Sequence, residues 1–181
     1  MDFINIDKNL PNGENMGGTT QSIIFGLWDD VAAWPTAPVA PADIEANAAW
    51  VGDVVMKAGT KAFTFYTTDD TSELKFNPVG ELDCKSFEQI LSVFHPGLRK
   101  KILGFMSAVK NEKLFLIVQN SDGQYFLLGD SLRPAFFQSG EAGTGKKTGD
   151  SKGVTMEFVH KTNTLREYVG DVTTLISSGS N

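Results

Sequence analysis

The sequence predicts a mainly β fold, a β-sandwich or half-barrel with one flanking α-helix. Three observations predict it. Roughly eight short segments either alternate apolar with polar residues or run apolar throughout, each bounded by Gly, Pro, Asn, Asp or Ser. One segment alone, Leu98–Lys110, carries a clear helical stripe. The chain has 181 residues, 41% apolar and 21% charged, which suits a single domain over 1–181 that needs no disulfide or metal to hold a core.

In chain order, Met1–Gly18 holds Pro11, Gly13, Gly17 and Gly18 and reads as an N-terminal arm. Phe3, Ile4 and Ile6 place three large apolar side chains in it, and these are wasted in water unless the arm docks. Thr19–Trp28 is a strand with Ile23, Phe25 and Leu27 on one face. Asp29–Ala49 carries Pro35, Pro38 and Pro41, which disfavour a helix and favour an extended surface loop. Trp28, Trp34 and Trp50 should pin that loop to the core. Val51–Lys57 is a short strand turned by Ala58-Gly59. Lys61–Thr67 alternates, Asp69-Asp70-Thr71-Ser72 makes a polar tip and Glu73–Phe76 returns, so 65–76 reads as a long hairpin. Asn77-Pro78-Val79-Gly80 is a turn.

Ser86–Phe94 fits two readings. Ser86 with Gln89 suits a helical capping box, while Phe87, Leu91 and Val93 suit one face of a strand. His95-Pro96-Gly97 ends the element either way. In the helix, Leu98, Ile102, Phe105, Met106 and Val109 form the stripe and Arg99, Lys100 and Lys101 lie off it, as in a helix that covers a core. Leu114–Gln119 is a buried-type strand, and the turn Asn120-Ser121-Asp122-Gly123 returns the chain into Gln124–Leu128. Residues 140–153 form a glycine-rich mobile loop. Gly153–His160 sets Val154, Met156, Phe158 and His160 against Thr155, Glu157 and Val159. Leu165–Ile176 adds one or two short strands, and 170–181 is a C-terminal segment with a polar end.

Net charge is −6, distributed as −9 over residues 1–90 and +3 over 91–181. An acidic chain lacks the basic patch that grips phosphate, but opposed charges suit copies that meet head to tail. The single cysteine, Cys84, excludes an internal disulfide and a multi-cysteine zinc cage, and two histidines argue against a multi-histidine metal site. No apolar run approaches the roughly 18 residues of a membrane span, and the N-terminus shows no secretory signal. Gly140–Thr148 approaches a phosphate-binding loop, but Lys147 stands where the magnesium-binding hydroxyl belongs and no helix is predicted to follow. Cys84 has no adjacent histidine in sequence, and no nucleophile elbow occurs. The expectation is no enzyme, no catalytic residue, no cofactor and no metal.

Several segments in order carry a resemblance. They include Gly17-Gly18-Thr19-Thr20 leading into Ile23–Leu27, Asp30–Pro35, Asp53–Gly59, Phe63–Thr68, Ser86-Phe87, Phe94–Gly97 and Leu103-Gly104-Phe105. Phe115–Gln119 with Asp122-Gly123, Leu128-Gly129, Gly143–Gly145 and Gly153–Phe158 follow. Over roughly residues 13–170 the chain is similar to tail tube proteins of phages and prophages, of the kind seen in gut and aquatic Bacteroidota. The resemblance implies a structural virion protein of the tail, assembled in the host cytoplasm. Hexameric rings complete a β-barrel and stack into a tube that conducts genome DNA without binding it specifically. The implied partners are further copies, a tape measure, a tail terminator and baseplate or tail-tip proteins, with no membrane. It further implies that the 65–76 hairpin reaches the next ring, that the arm and C-terminal segment brace neighbours, and that Ser86–Phe94 is a strand. The expected interface residues are Phe3, Ile4, Ile6, Tyr66, Asp69, Asp70, Glu73 and Lys75. The alternatives are a terminator, baseplate hub or head–tail connector and, in a different class, a β-rich ligand-binding or adhesion module.

Overall fold

The computed structural model describes residues 2–6 and 16–176; the rest of the expected arm and the end of the C-terminal segment lie outside them. The described chain is mainly β, with three open sheets and one α-helix. The first sheet has five strands: β1 (Ser22–Leu27), β4 (Phe63–Tyr66), β7 (Leu114–Gln119), β8 (Tyr125–Leu128) and β11 (Glu167–Tyr168), in the order β11-β8-β7-β1-β4. The second has four: β5 (Glu73–Val79), β6 (Ser86–Pro96), β9 (Phe136–Gly143) and β10 (Gly153–Thr162), in the order β5-β6-β10-β9. Two short strands, β2 (Val31–Ala33) and β3 (Val55–Met56), make the third. The helix α1 spans Lys100–Val109.

Side-chain alternation decides which faces are buried. From the four-stranded sheet Leu91, Val93, Val154, Met156 and Phe158 turn inward, and they share one core with Ile23, Leu114, Leu116, Val118 and Leu128 of the five-stranded sheet. Helix α1 closes one flank of this core. Ile102 and Val109 are buried in it, and Leu98, Phe105 and Met106 pack against it, so the predicted stripe faces inward. The helix has no side-chain cap and no acid in its first turn, so packing rather than its ends holds it.

The other face of the five-stranded sheet is buried too. Ile24, Phe115, Ile117 and Leu127 meet Val31, Val54, Ala62, Tyr168 and Leu175, with Trp34 and Trp50 packed alongside. This explains the unbroken apolar run Leu114–Val118, which is covered on both sides. The proline-rich loop is therefore the lid of a second core, and the tryptophans pin it as the sequence predicts. Trp28 lies beside Trp34, with 5.9 Å between ring centroids, and donates its indole N–H to the Asp130 carbonyl at 2.7 Å.

Several expectations are corrected. The 65–76 segment is not a hairpin: β4 pairs with β1, and β5 pairs with β6 in the other sheet. The segment between them crosses from sheet to sheet, with Thr67 and Ser72 buried and Asp69 and Asp70 exposed. Nor is 77–80 a turn, because β5 continues through Pro78 to Val79. A proline is tolerated there because β5 is an edge strand. The reversal lies at 80–85. Residues 140–143 are the end of β9 rather than loop, paired with Gly153–Met156. The Ser86–Phe94 ambiguity resolves as a strand, and the expected 98–110 helix starts at Lys100.

Candidate assembly surfaces

A subunit that works by joining copies has edges and faces as its functional site. The outer face of the four-stranded sheet is the broad sheet face left uncovered among the described residues. Cross-strand register places rows on it: Glu73, Ser92, Glu157 and Ser139 in one row, then Lys75, Ile90, Val159 and Phe136, then Asn77, Glu88 and Lys161. With Glu141 opposite Thr155, the face presents four carboxylates, from Glu73, Glu88, Glu141 and Glu157, against the two ammonium groups of Lys75 and Lys161. Glu157 accepts from the Ser139 hydroxyl at 2.7 Å, Lys161 lies 3.7 Å from Glu88, and Glu73 pairs with Lys75 at 2.8 Å. These exposed pairs fix side-chain positions more than they add stability.

The sheet edges are the second feature. In the five-stranded sheet β4 and β11 are outermost, and in the four-stranded sheet β5 and β9. Such edges present backbone groups that another strand can pair, although on β11 the Glu167 carbonyl already accepts the Trp50 N–H at 2.9 Å. Aromatics mark two of them: Phe63 and Tyr66 on β4 are each 49% exposed, and Phe136 at the start of β9 is 45% exposed.

The predicted interface residues are not brought together. Phe3, Ile4 and Ile6 are exposed on a segment held, among the described residues, by a parallel bridge between Asp2 and Asp43. Tyr66 is on the β4 edge, where His95 Nδ1 lies 2.9 Å from its carbonyl oxygen. Asp69 and Asp70 sit at the crossover tip, with Asp70 at φ +56°. Glu73 and Lys75 are on the β5 edge of the other sheet.

In the near-P-loop, Asp150 accepts the backbone N–H groups of Lys146 and Lys147 at 2.8 Å each, so its carboxylate takes the amides a phosphate would need, and β10 follows instead of a helix. These two bonds, against slight burial, hold the Asp150 carboxyl below its ordinary pKa. Cys84 is exposed on the 80–85 turn. Among the described residues, no group of three or more His, Cys, Asp or Glu could hold a metal ion, and no helix is long and apolar enough to cross a membrane.

Among the described residues, two of the larger cavities are open to solvent. One of about 340 Å³ lies between the sheets on the β5 side and is lined by Thr19, Leu74, Phe76, Val118, Asp122 and Phe126. The other, a groove of about 320 Å³, is lined by Arg133, Pro134, Phe136, Val159 and Lys161. Trp34 and Tyr66, the aromatics that a ligand-binding module would use, line neither.

The 80–85 turn is rigidly built. Gly80 has φ +101°, and a Cβ there would lie 2.4 Å from the Cys84 carbonyl oxygen, while Cys84 N–H bonds the Glu81 carbonyl at 3.1 Å. Gly80→Ala should therefore cost about 1–3 kcal/mol in denaturant unfolding. An unchanged midpoint would mean that the turn relaxes freely.

No known protein family matches the chain, and neither a curated protein nor a solved structure is found similar to it.

Proposed function

We propose that the chain is a structural ring-forming subunit of a phage-type tail tube: copies join laterally through sheet edges, rings stack, and the bore conducts DNA. The observation that carries this reading is the four-stranded sheet. Among the described residues, one of its faces is packed, the other is bare and net acidic, and neither edge strand, β5 or β9, has a strand paired on its outer side. An isolated copy leaves those edges as templates for pairing, and a closed ring would satisfy them all. In this reading the bare face is the wall of the bore, which places Glu73, Glu88, Glu141 and Glu157 toward the passing DNA. Carboxylates repel phosphate within the screening length of about 8 Å at physiological salt, so DNA would slide rather than stick. Ile90 adds an apolar patch that offers phosphate no hydrogen bond.

Negative-stain electron microscopy of the purified protein at rising concentration tests the reading. Long tubes with a central bore are the expected result. Single rings that do not stack would favour the terminator, hub or connector alternatives. Dispersed monomers at millimolar concentration would overturn the whole class.

A further inference from the structure

We infer that the turn Glu81-Leu82-Asp83 of one copy seats in the groove between Arg133, Pro134, Phe136, Val159 and Lys161 of the next copy. The inference rests on the lateral joining proposed above and names the contact that makes it.

The turn is a knob with nothing to do in a single copy. Leu82 is 82% exposed and lies between two exposed carboxylates, neither of which has an ion-pair partner among the described residues. Gly80 and Asp83, at φ +101° and +64°, hold it in a shape that ordinary residues resist. The groove is its chemical complement. Pro134, Phe136 and Val159 give it an apolar floor, and Arg133 and Lys161 stand at its walls. It too is preformed, because Asp130 Oδ1 accepts the N–H groups of both Leu132 and Arg133 at 2.8 Å each and so fixes the loop that carries Arg133.

Register brings the two together. From the turn into the sheet, the rows are Pro78, Phe87 and Thr162, then Asn77, Glu88 and Lys161, then, two rows further on, Lys75, Ile90, Val159 and Phe136. The turn at the end of β5 and the start of β9 are therefore at the same end of the sheet, on opposite edges. β9 runs antiparallel to β5, so the β5 edge of one copy laid against the β9 edge of the next continues the antiparallel order. That placement carries the knob of one copy to the groove of its neighbour. The contact is heterologous, and repeated rotation closes it into a ring.

Charge swaps test this. Glu81→Lys with Asp83→Lys makes knob and groove both positive; Arg133→Glu with Lys161→Glu makes both negative. Each variant alone should self-associate about tenfold or more weakly than the parent in sedimentation, while circular dichroism shows an unchanged fold. A mixture of the two should regain assembly, since each knob again meets an opposite groove. A second arm uses the single cysteine: parent protein, carrying Cys84, is mixed with a Leu132→Cys, Cys84→Ser variant of different length and oxidised. Heterodimers should exceed both homodimers. Variants that assemble like the parent, with no excess of heterodimer, overturn this contact and leave the ring reading standing. If the mixture regains only a closed, reciprocal dimer, the contact stands and the ring reading falls. Parent protein that stays monomeric and shows no heterodimer overturns both.

Discussion

Phe115→Ala should destabilise the fold by about 3–5 kcal/mol. Phe115 is fully buried in β7, on the face turned toward the proline-rich loop. Its ring meets Trp34 edge-on, with 5.9 Å between ring centroids. It also fills the space left by Gly26 on the adjacent strand, where a Cβ would lie 2.5 Å from the ring. The same ring therefore contacts the β1 backbone on one side and the loop that covers the second core on the other. Removing it leaves a void that neither can fill: the β1 backbone is held by pairing on both sides, and the loop is tied by the bridge between Thr36 and Val51. For a chain of this size the melting temperature should fall by roughly 10 °C. Thermal and denaturant unfolding check it, and a loss below 1 kcal/mol would mean that the second core is loosely packed and the loop collapses into the gap. Filling the same contact from the other side by Gly26→Val should also destabilise, through overpacking.

How much of this was legible in the sequence follows from which interactions are local. Val154, Met156, Phe158 and His160 are all buried and Thr155 is exposed, because alternation on a strand with one covered face is a local rule that tertiary packing rarely overrides. The helical stripe and the 120–123 turn are legible for the same reason. The pairing of β4 and β5 is not legible, because a hairpin and a sheet-to-sheet crossover use the same alternation and the same polar tip. Only the partner differs, and partners are not written locally. Pro78 signals a turn by sequence, but here it marks an edge strand, the other place a β-sheet tolerates proline. Five of the eight predicted interface residues belong to the 65–76 segment, and it separates them: Tyr66 lies on one sheet, Glu73 and Lys75 on the other, and Asp69 and Asp70 on the crossover between. Leu82 between Glu81 and Asp83 was a usable signal, since a leucine flanked by acids in a glycine turn has no core to reach. Its complement, Arg133 with Lys161, was not legible: these residues are 28 positions apart and meet only through β9–β10 pairing.

Asp130 ties the core to the proposed contact. Its Oδ1 holds the amides of Leu132 and Arg133, its carbonyl takes the Trp28 indole, and its Oδ2 faces the buried His160 Nε2 at 3.6 Å. That nitrogen has no hydrogen-bond partner among the described residues, while the Nδ1 of the same ring is 2.9 Å from Gln89 Oε1. Burial pushes the Asp130 carboxyl up, but the His160 ring and the two amides outweigh it and hold the carboxyl below the ordinary aspartate value. A depressed folded-state pKa stabilises the fold fully above the unfolded value of about 3.9, and this stabilisation is lost as pH falls through the lower folded value. Parent protein should therefore lose this part of its stability below about pH 4, while Asp130→Asn, which keeps an acceptor for the two amides, should show a flatter acid limb. Asp130→Ala should cost about 2 kcal/mol at neutral pH, because it frees the 130–133 loop and leaves His160 facing an empty space. It should also weaken self-association, since Arg133 then loses its fixed position at the groove wall. Urea titrations from pH 3 to 7 beside sedimentation of the same variants check both halves. An acid limb that is the same in parent and Asp130→Asn would show that other carboxylates govern acid unfolding, and full assembly by Asp130→Ala would show that the loop needs no such anchor.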